Sequence, residues 1–268
     1  MRTGYWQDLT TLDFASLDPT TTVALLPVAA IEQHGPHLPL ATDALINEAI
    51  VSEALARVPD NLAVLVLPAM TIGSSLEHTA FAGTLSIEAG TLLAVWKQIG
   101  ASIARAGIRK LVILNSHGGQ TALVDLAALQ LRAERGMLVA RANYFRFGTP
   151  PGLFESPDLA RDIHGGIVET SLLLHLRPDL VRKDALEDFA GLPPEMAAHN
   201  QWFSPEKPIG FGWMSQDLHP SGACGNAAGA DAARGAAYLQ HIARSVVQLL
   251  VEVAATPLSV IENDAPAS

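Results

Sequence analysis

Three short stretches of the chain gather side chains that can hold metal or move protons. The first is Glu32-Gln33-His34-Gly35-Pro36-His37, continued by Thr42-Asp43. The second is Asn115-Ser116-His117-Gly118-Gly119-Gln120, and the third is His164-Gly165-Gly166-Ile167-Val168-Glu169-Thr170-Ser171. Carboxylate oxygens and imidazole nitrogens in this mix are what Zn²⁺, Mn²⁺ or Fe²⁺ accepts. Glu32 and His34 are two residues apart, so in extended backbone their side chains leave on the same side. With one carboxylate placed between two ions, such donors hold a cation pair about 3.5–4 Å apart. A hydroxide shared by the pair forms near neutral pH and serves as the nucleophile of a hydrolysis. Each residue also has a structural reading. Asp43 can be an N-cap, His117 part of a turn and Glu169 a partner of a helix N-terminus. His37 can simply hydrogen-bond backbone, and His78, His175, His199, His219 and His241 read as ordinary surface or core histidines. The coincidence of several donors at the ends of expected strands favours the metal chemistry.

Those strands are four apolar runs, Val23–Ile31, Leu62–Met70, Leu111–Asn115 and Met137–Asn143. Their near-continuous hydrophobicity predicts a parallel sheet covered on both faces. Helical patterning falls between them, over Asp43–Val58, Ser86–Ala106 and Thr121–Arg135, the last stopped by Gly136. Glu169–Leu176 and Ala227–Ala255 read as further helices; Ser86 with Glu88 and the stop Gly107 mark the ends of helix 86–106, and an Asp or Thr near 42–43 caps the first. Strand and helix in alternation predict a three-layer α/β/α sandwich with a mostly parallel central sheet. Ligands of such sheets bind outside the carboxyl ends of the strands, where the first two donor clusters fall. Gly148–Leu159 reads as a loop. The irregular, Pro-rich stretch from Asp184 to Gly225 reads as a lid or an oligomer contact, with Trp202, Phe203, Phe211 and Trp213 as pocket, core or subunit residues. Residues 1–255 are expected to form one α/β domain, and residues 256–268 a frayed C-terminal tail.

Composition narrows the function classes. The 268 residues are 49% hydrophobic and 16% charged, enough apolar material for a large core and too much for a disordered chain. Acidic residues outnumber basic ones by 27 to 17, a formal net charge of −10 that disfavours nucleic acid and anionic membranes as partners. The single cysteine, Cys224, rules out an intrachain disulfide framework. No apolar run approaches the roughly 18 residues of a membrane span, and the N-terminal residues lack a signal-peptide pattern. The expectation is a soluble cytoplasmic protein. The place of a Gly-x-Gly-x-x-Gly turn after the first strand is taken by Glu-Gln-His-Gly, and no Gly-x-Ser-x-Gly elbow occurs. A dinucleotide enzyme and a serine hydrolase are thereby disfavoured. A non-catalytic binding or assembly protein remains the alternative, and it predicts a degraded donor set.

The segment Pro27-Val28-Ala29-Ala30-Ile31-Glu32-Gln33-His34-Gly35-Pro36-His37-Leu38-Pro39, with Thr42-Asp43, resembles the signature of the creatininase (creatinine amidohydrolase) family. The second and third clusters are similar to that family too, as is a shorter block, Glu77-His78 with Phe81-Ala82-Gly83-Thr84. The resemblance implies a three-layer α/β/α fold, hydrolysis of a non-peptide amide C–N bond, cyclic or open-chain, and a homo-oligomer, commonly a hexamer. It implies two divalent metal ions per chain, Zn²⁺ foremost, with Mn²⁺ or Fe²⁺ as alternatives, and a small-molecule amide as substrate. Carried over residue by residue, Glu32 and His117 bind one metal, His34 the other, and Asp43 bridges them. His164 matches a histidine that relays protons near the scissile bond, so His164 or Glu169 delivers a proton to the departing nitrogen. Creatininase itself has a further ligand, a glutamate two residues after the second-cluster histidine, where this chain has Gly119. That departure puts creatinine in doubt as substrate and makes Glu169 the expected replacement ligand. Ser116 and Gln120 stand where Gly and Asn are usual, Gly165 where Ala is usual, and Ala82 where Pro is common. Relatives with the Gly-Gly form include a formamide deformylase and a peptidase of peptide-derived cofactor maturation, so the substrate is not inherited from the family name.

Overall fold

Val23 and Leu25 pack into one hydrophobic cluster while Ala24, Leu26 and Val28 pack into another, and all five are buried. A strand with both faces covered belongs in the middle of a parallel sheet. In the computed structural model, which describes residues 3–206 and 208–261, that strand is β2 (Val23–Val28). Its sheet also contains β1 (Gly4–Tyr5), β3 (Val64–Val66), β4 (Lys110–Asn115) and β5 (Leu138–Asn143), in the order β1-β3-β2-β4-β5. Every neighbouring pair is parallel, with Leu25 opposite both Val66 and Val112. The expected strand runs are longer than the strands because their ends form single bridges, Val28 to Met70 and Ile31 to Leu85. β1 escapes a reading of the sequence because two residues carry no periodicity.

Helices Thr42–Leu55, Ile167–Leu176 and Ala232–Ala255 cover one face, where Ile46, Leu172 and Ile242 meet Val23 and Leu25. Helices Ala89–Arg105 and Thr121–Arg135 cover the other, where Trp96 and Leu131 meet Leu26 and Ile113. The result is the expected three-layer α/β/α sandwich. The chain leaves β2 for β3 on one side and later returns to β4 on the other. The crevice beyond the carboxyl ends of β2 and β4 is therefore the topological switch point at which such sheets bind ligands.

Helix ends follow local chemistry. Glu88, not Ser86, caps helix 89–105, because its carboxylate accepts from the free N–H groups of both Gly90 and Thr91. Helix 167–176 begins two residues before the expected Glu169, since the Ile167 and Val168 N–H groups donate to Asp162. Asp231 caps helix 232–255, and the expected start at Ala227 is instead a 3-10 turn, Ala227–Gly229. Helix 121–135 ends as predicted on Gly136, at φ +61°. Gly136→Ala places a side chain in that left-handed conformation, 3.0 Å from the Arg109 guanidinium, and is expected to cost about 1–2 kcal/mol in denaturant unfolding. An unchanged midpoint would remove this reason for the glycine.

The region 184–225 holds a two-stranded antiparallel ladder, β6 (Asp188–Phe189) with β7 (Gly225–Asn226). It also holds short helices, Leu192–Ala197 and Ser215–Leu218. Trp202 and Phe203 are exposed, which removes them from the core. The loop Gly148–Leu159 ends in a four-residue helix, Ser156–Leu159. Beyond Ala255 the chain continues into a 3-10 turn, Leu258–Ile261, whose last carbonyl accepts from Arg132. The rest of the expected frayed tail, 262–268, lies outside the described residues. Among the described residues, no helix is long and apolar enough to cross a membrane.

Candidate metal centre

The loop that leaves β2 turns back on itself, with the Glu32 N–H bonded to the Leu40 carbonyl, so that Glu32, His34 and Asp43 converge. Asp43 sits in the first turn of helix 42–55. His117 enters from the end of β4, while His164 and Glu169 enter from the loop and first turn around helix 167–176. Glu32, His34, Asp43 and His117 are each no more than 2% exposed. The two Asp43 oxygens face different histidines: Oδ1 lies 3.3 Å from His34 Nε2, and Oδ2 lies 3.5 Å from His117 Nδ1. Glu32 Oε1 is 3.1 Å from His117 Nδ1, and Glu169 Oε2 is 3.9 Å from His34 Nε2. All six candidate residues thus meet in one place, at the switch point.

Outer partners fix how each imidazole is presented. His34 Nδ1 donates to the Glu32 carbonyl, His117 Nε2 to the Ser74 carbonyl, and His164 Nε2 to the Gln33 carbonyl at 2.6 Å. Each ring then turns its other nitrogen toward the carboxylates, the orientation in which ligating histidines are held. The His117 backbone is held by Asn115, whose Oδ1 accepts from the His117 N–H and whose Nδ2 donates to the His117 carbonyl. Ser116 Oγ donates to the Asp43 carbonyl, tying the end of β4 to the first turn of helix 42–55. His37 lies apart from the cluster, bonded through Nε2 to the Gly165 carbonyl and Thr170 Oγ1. Its role is the backbone hydrogen bond.

Electrostatics show what the cluster lacks. Burial alone would lower His34 and His117, but Asp43 beside the first and Glu32 beside the second raise both to about 10. Burial, then the Glu32 charge, raises Asp43 to about 7. His164 is pushed down to about 4 by burial and by His34. Protons on His34 and His117 thus supply the positive charge that the carboxylates demand. Even so, Glu32 Oε2, His34 Nε2 and Asp43 Oδ2 are buried without a hydrogen-bond partner. Buried groups of this kind require a partner, and divalent cations fit this donor set. Three donor groups each lie within 4.8 Å: Glu32, His34 and His164; Glu32, Glu77 and His117; and His34, Asp43 and Glu169.

Glu77 and His78, which the sequence offers only within the shorter block that resembles the family and without a role, also lie against this cluster. His78, expected to be an ordinary histidine, is buried on a 3-10 turn, Leu76–His78, with Nε2 3.5 Å from Glu32 Oε1. Its Nδ1 accepts from Gln33 Nε2 at 2.7 Å, and its ring stacks on His164 with centroids 4.2 Å apart. Glu77 Oε1 lies 3.5 Å from His117 Nε2. The signal available was the Glu77-His78 block itself, but it lies in a loop with no periodicity to place it. From the 184–225 region, Cys224 pairs with His164 through two backbone hydrogen bonds, and the Gly222 carbonyl accepts from Gln33. That stretch therefore walls the site.

Comparison with known proteins places the chain in a family. The family model for Creatininase, described as creatinine amidohydrolase, matches residues 7–250. The mycofactocin precursor peptide peptidase of Mycobacterium ulcerans (strain Agy99) is 35% identical over 184 residues, covering 67% of this chain and 68% of that protein. The creatinine amidohydrolase of Pseudomonas putida is 34% identical over 190 residues, covering 64% of this chain and 72% of that protein. A mutant creatininase of Zn-Zn type superposes with a TM-score of 0.74 at 26% identity, covering 94% of this chain and 98% of that one. A creatininase described as the Mn form gives 0.72 at the same identity and coverage. The family match spans nearly the whole chain, donor clusters included, and the parallel sheet that carries them is shared with those structures, so the chain belongs to the creatininase family of hydrolases.

Proposed function

We propose that this protein is a metal-dependent amidohydrolase that cleaves an amide C–N bond of a small molecule, with two divalent cations per chain. The observation that carries the reading is Asp43, whose two oxygens face His34 and His117 separately while orphaned donor atoms surround it. Glu32 and His117 would hold one cation, His34 and Glu169 the other, with Asp43 between them. Zn²⁺ fits the nitrogen and oxygen donors best, with Mn²⁺ or Fe²⁺ as alternatives. The cations supply Lewis acidity toward the amide carbonyl and acidify water near neutral pH.

The chain's own groups move the protons. Burial and positive neighbours keep His164 neutral at pH 7, so its Nδ1 lone pair, 3.9 Å from Glu32 Oε1, is free to accept a proton from the attacking water. The bond from His164 Nε2 to the Gln33 carbonyl fixes the ring while that proton passes to the departing nitrogen. Glu169, held by the Gly165 N–H at 2.7 Å, is the second proton carrier beside the scissile bond. His164→Ala is expected to lower kcat by about 10²–10⁴-fold with metal content unchanged. A variant turning over at the parent rate would remove His164 from the mechanism.

The resemblance extends the proposal to a homo-oligomer, a hexamer, and the single cysteine, Cys224, fits the reducing cytoplasm. A peptide C–N bond is the second reading, favoured by the similarity to mycofactocin precursor peptide peptidases. The experiment is a panel of cyclic amides, formamides and short peptides offered to metal-loaded protein. Hydrolysis confined to the first two classes supports the small-molecule reading, and hydrolysis confined to peptides favours the second. A fully loaded protein that cleaves none of them contradicts both.

A further inference from the structure

Gly119 has no conformational reason to be glycine. It is absent from the positive-φ glycines, so any L-residue can adopt its backbone. Its neighbour Gly118 has open space, with nothing within 4 Å of a built Cβ. At Gly119 the situation is the opposite. A Cβ there would lie 1.6 Å from Glu77 Oε1, 2.6 Å from Glu77 Cδ and 2.8 Å from His117 Nε2. The Glu77 carboxylate already fills the space in which a side chain at 119 would begin.

The direction Glu77 takes needs a cause. It sits in a loop between Leu76, which is 70% exposed, and buried His78, so water is within easy reach. Its side chain nevertheless turns inward and is only 15% exposed. There it approaches Glu32 and His117 closely enough that one donor atom from each lies within 4.8 Å of the others. A carboxylate brought against a second buried carboxylate costs free energy unless positive charge sits between them, and the groups here that can carry it are His117, with Nε2 3.5 Å from Glu77 Oε1, and a cation bound in its place. Glu169, by contrast, stands on the His34 side of Asp43, away from this position.

Resting on the two-cation reading above, we infer that Glu77 is a third protein ligand of the cation held by Glu32 and His117, occupying the space a side chain at 119 would take. One carboxylate beside His117 can thus reach the site by either of two routes, from residue 77 or from residue 119. The two are mutually exclusive, and this chain uses the first. Glycine at 119 is the complement of glutamate at 77.

The test uses the full chain, with Zn²⁺ titrated against a chromophoric chelator to give the number of sites and the affinity of each. The parent is expected to bind close to two equivalents. Glu77→Gln keeps shape and loses charge, and one of the two sites is expected to weaken by about 100-fold, the upper end of what even outer-shell partners cost. Gly119→Ala, which keeps Glu77 but intrudes on its carboxylate, is expected to weaken the same site. The double variant E77A/G119E supplies the carboxylate by the other route and is expected to bind both ions within about tenfold of the parent. Melting curves of the metal-free variants separate ligand loss from misfolding. Two sites of parental affinity in Glu77→Gln would overturn the inference while leaving the two-cation reading intact. A parent that binds no metal would remove both. A double variant that binds no better than Glu77→Ala alone would overturn the shared-space account.

Discussion

Asp43→Ala is expected to abolish turnover and drop the metal content below two equivalents in the same preparation. Among the described residues, no other offers one oxygen to each half of the site, Oδ1 toward His34 and Oδ2 toward His117. On the proposed reading, losing it would remove the ligand shared by the two cations. With several kcal/mol of transition-state stabilisation resting on the pair, the loss in kcat/KM is expected to be at least about 10³-fold. His34→Ala is expected to behave similarly, because its Nε2 faces both Asp43 and Glu169. The metal-free Asp43→Ala protein should still fold, since the substitution removes a carboxylate that burial and Glu32 already hold at a raised pKa. Elemental analysis, calorimetry and turnover on one sample separate these effects. Parental activity in a variant without metal would contradict the account.

The second large effect is on stability. Each cation present at about 100 times its Kd stabilises the fold by about 2.7 kcal/mol, so two contribute about 5 kcal/mol. For a chain of this size, stripping them is expected to lower Tm by roughly 10–20 °C at neutral pH. The gap depends on pH in a direction the site dictates. In the metal-free protein His34 and His117 are raised to about 10, from an ordinary value of 6.5. A raised imidazole stabilises the fold fully below its unfolded pKa and loses that contribution as pH climbs toward about 10. Asp43, raised to about 7, acts in the same direction, its contribution being lost as pH climbs from about 4 to 7. The metal-free protein therefore weakens with rising pH. The same protons must leave when metal binds, so metal affinity rises with pH. Calorimetry at pH 6, 7.5 and 9, with and without chelator, should show the gap widening. A gap of zero, or one that narrows with pH, would contradict the site.

What could be read from the sequence follows physical lines. β2 and β4 announce themselves because strands buried on both faces are apolar without alternation. Their ends then place Glu32, His34 and His117 at the switch point. Gly136 marks a helix end because only glycine takes that φ cheaply. Asp43 was visible at a helix start, but its double role required the loop 33–41 to fold back, which no spacing reveals. Glu77 and His78 were hidden for a related reason. They arrive on a three-residue 3-10 turn, and only tertiary packing against Glu32 and His164 distinguishes His78 from any other histidine. Of the two start residues the sequence offers, Ser86 and Glu88, either can accept from free N–H groups. The observed helix start, with Gly90 and Thr91 donating, favours the longer carboxylate. The order within 184–225 rests on a two-residue ladder and backbone bonds to His164, which leave no pattern in a Pro-rich stretch.

The central claim is that Glu32, His34, Asp43, His117 and Glu169 hold a pair of cations. Metal content per chain, measured by elemental analysis of protein purified without added metal or chelator, tests it most directly. The account predicts close to two equivalents of Zn, Mn or Fe. Metal near zero that soaking fails to restore would contradict it.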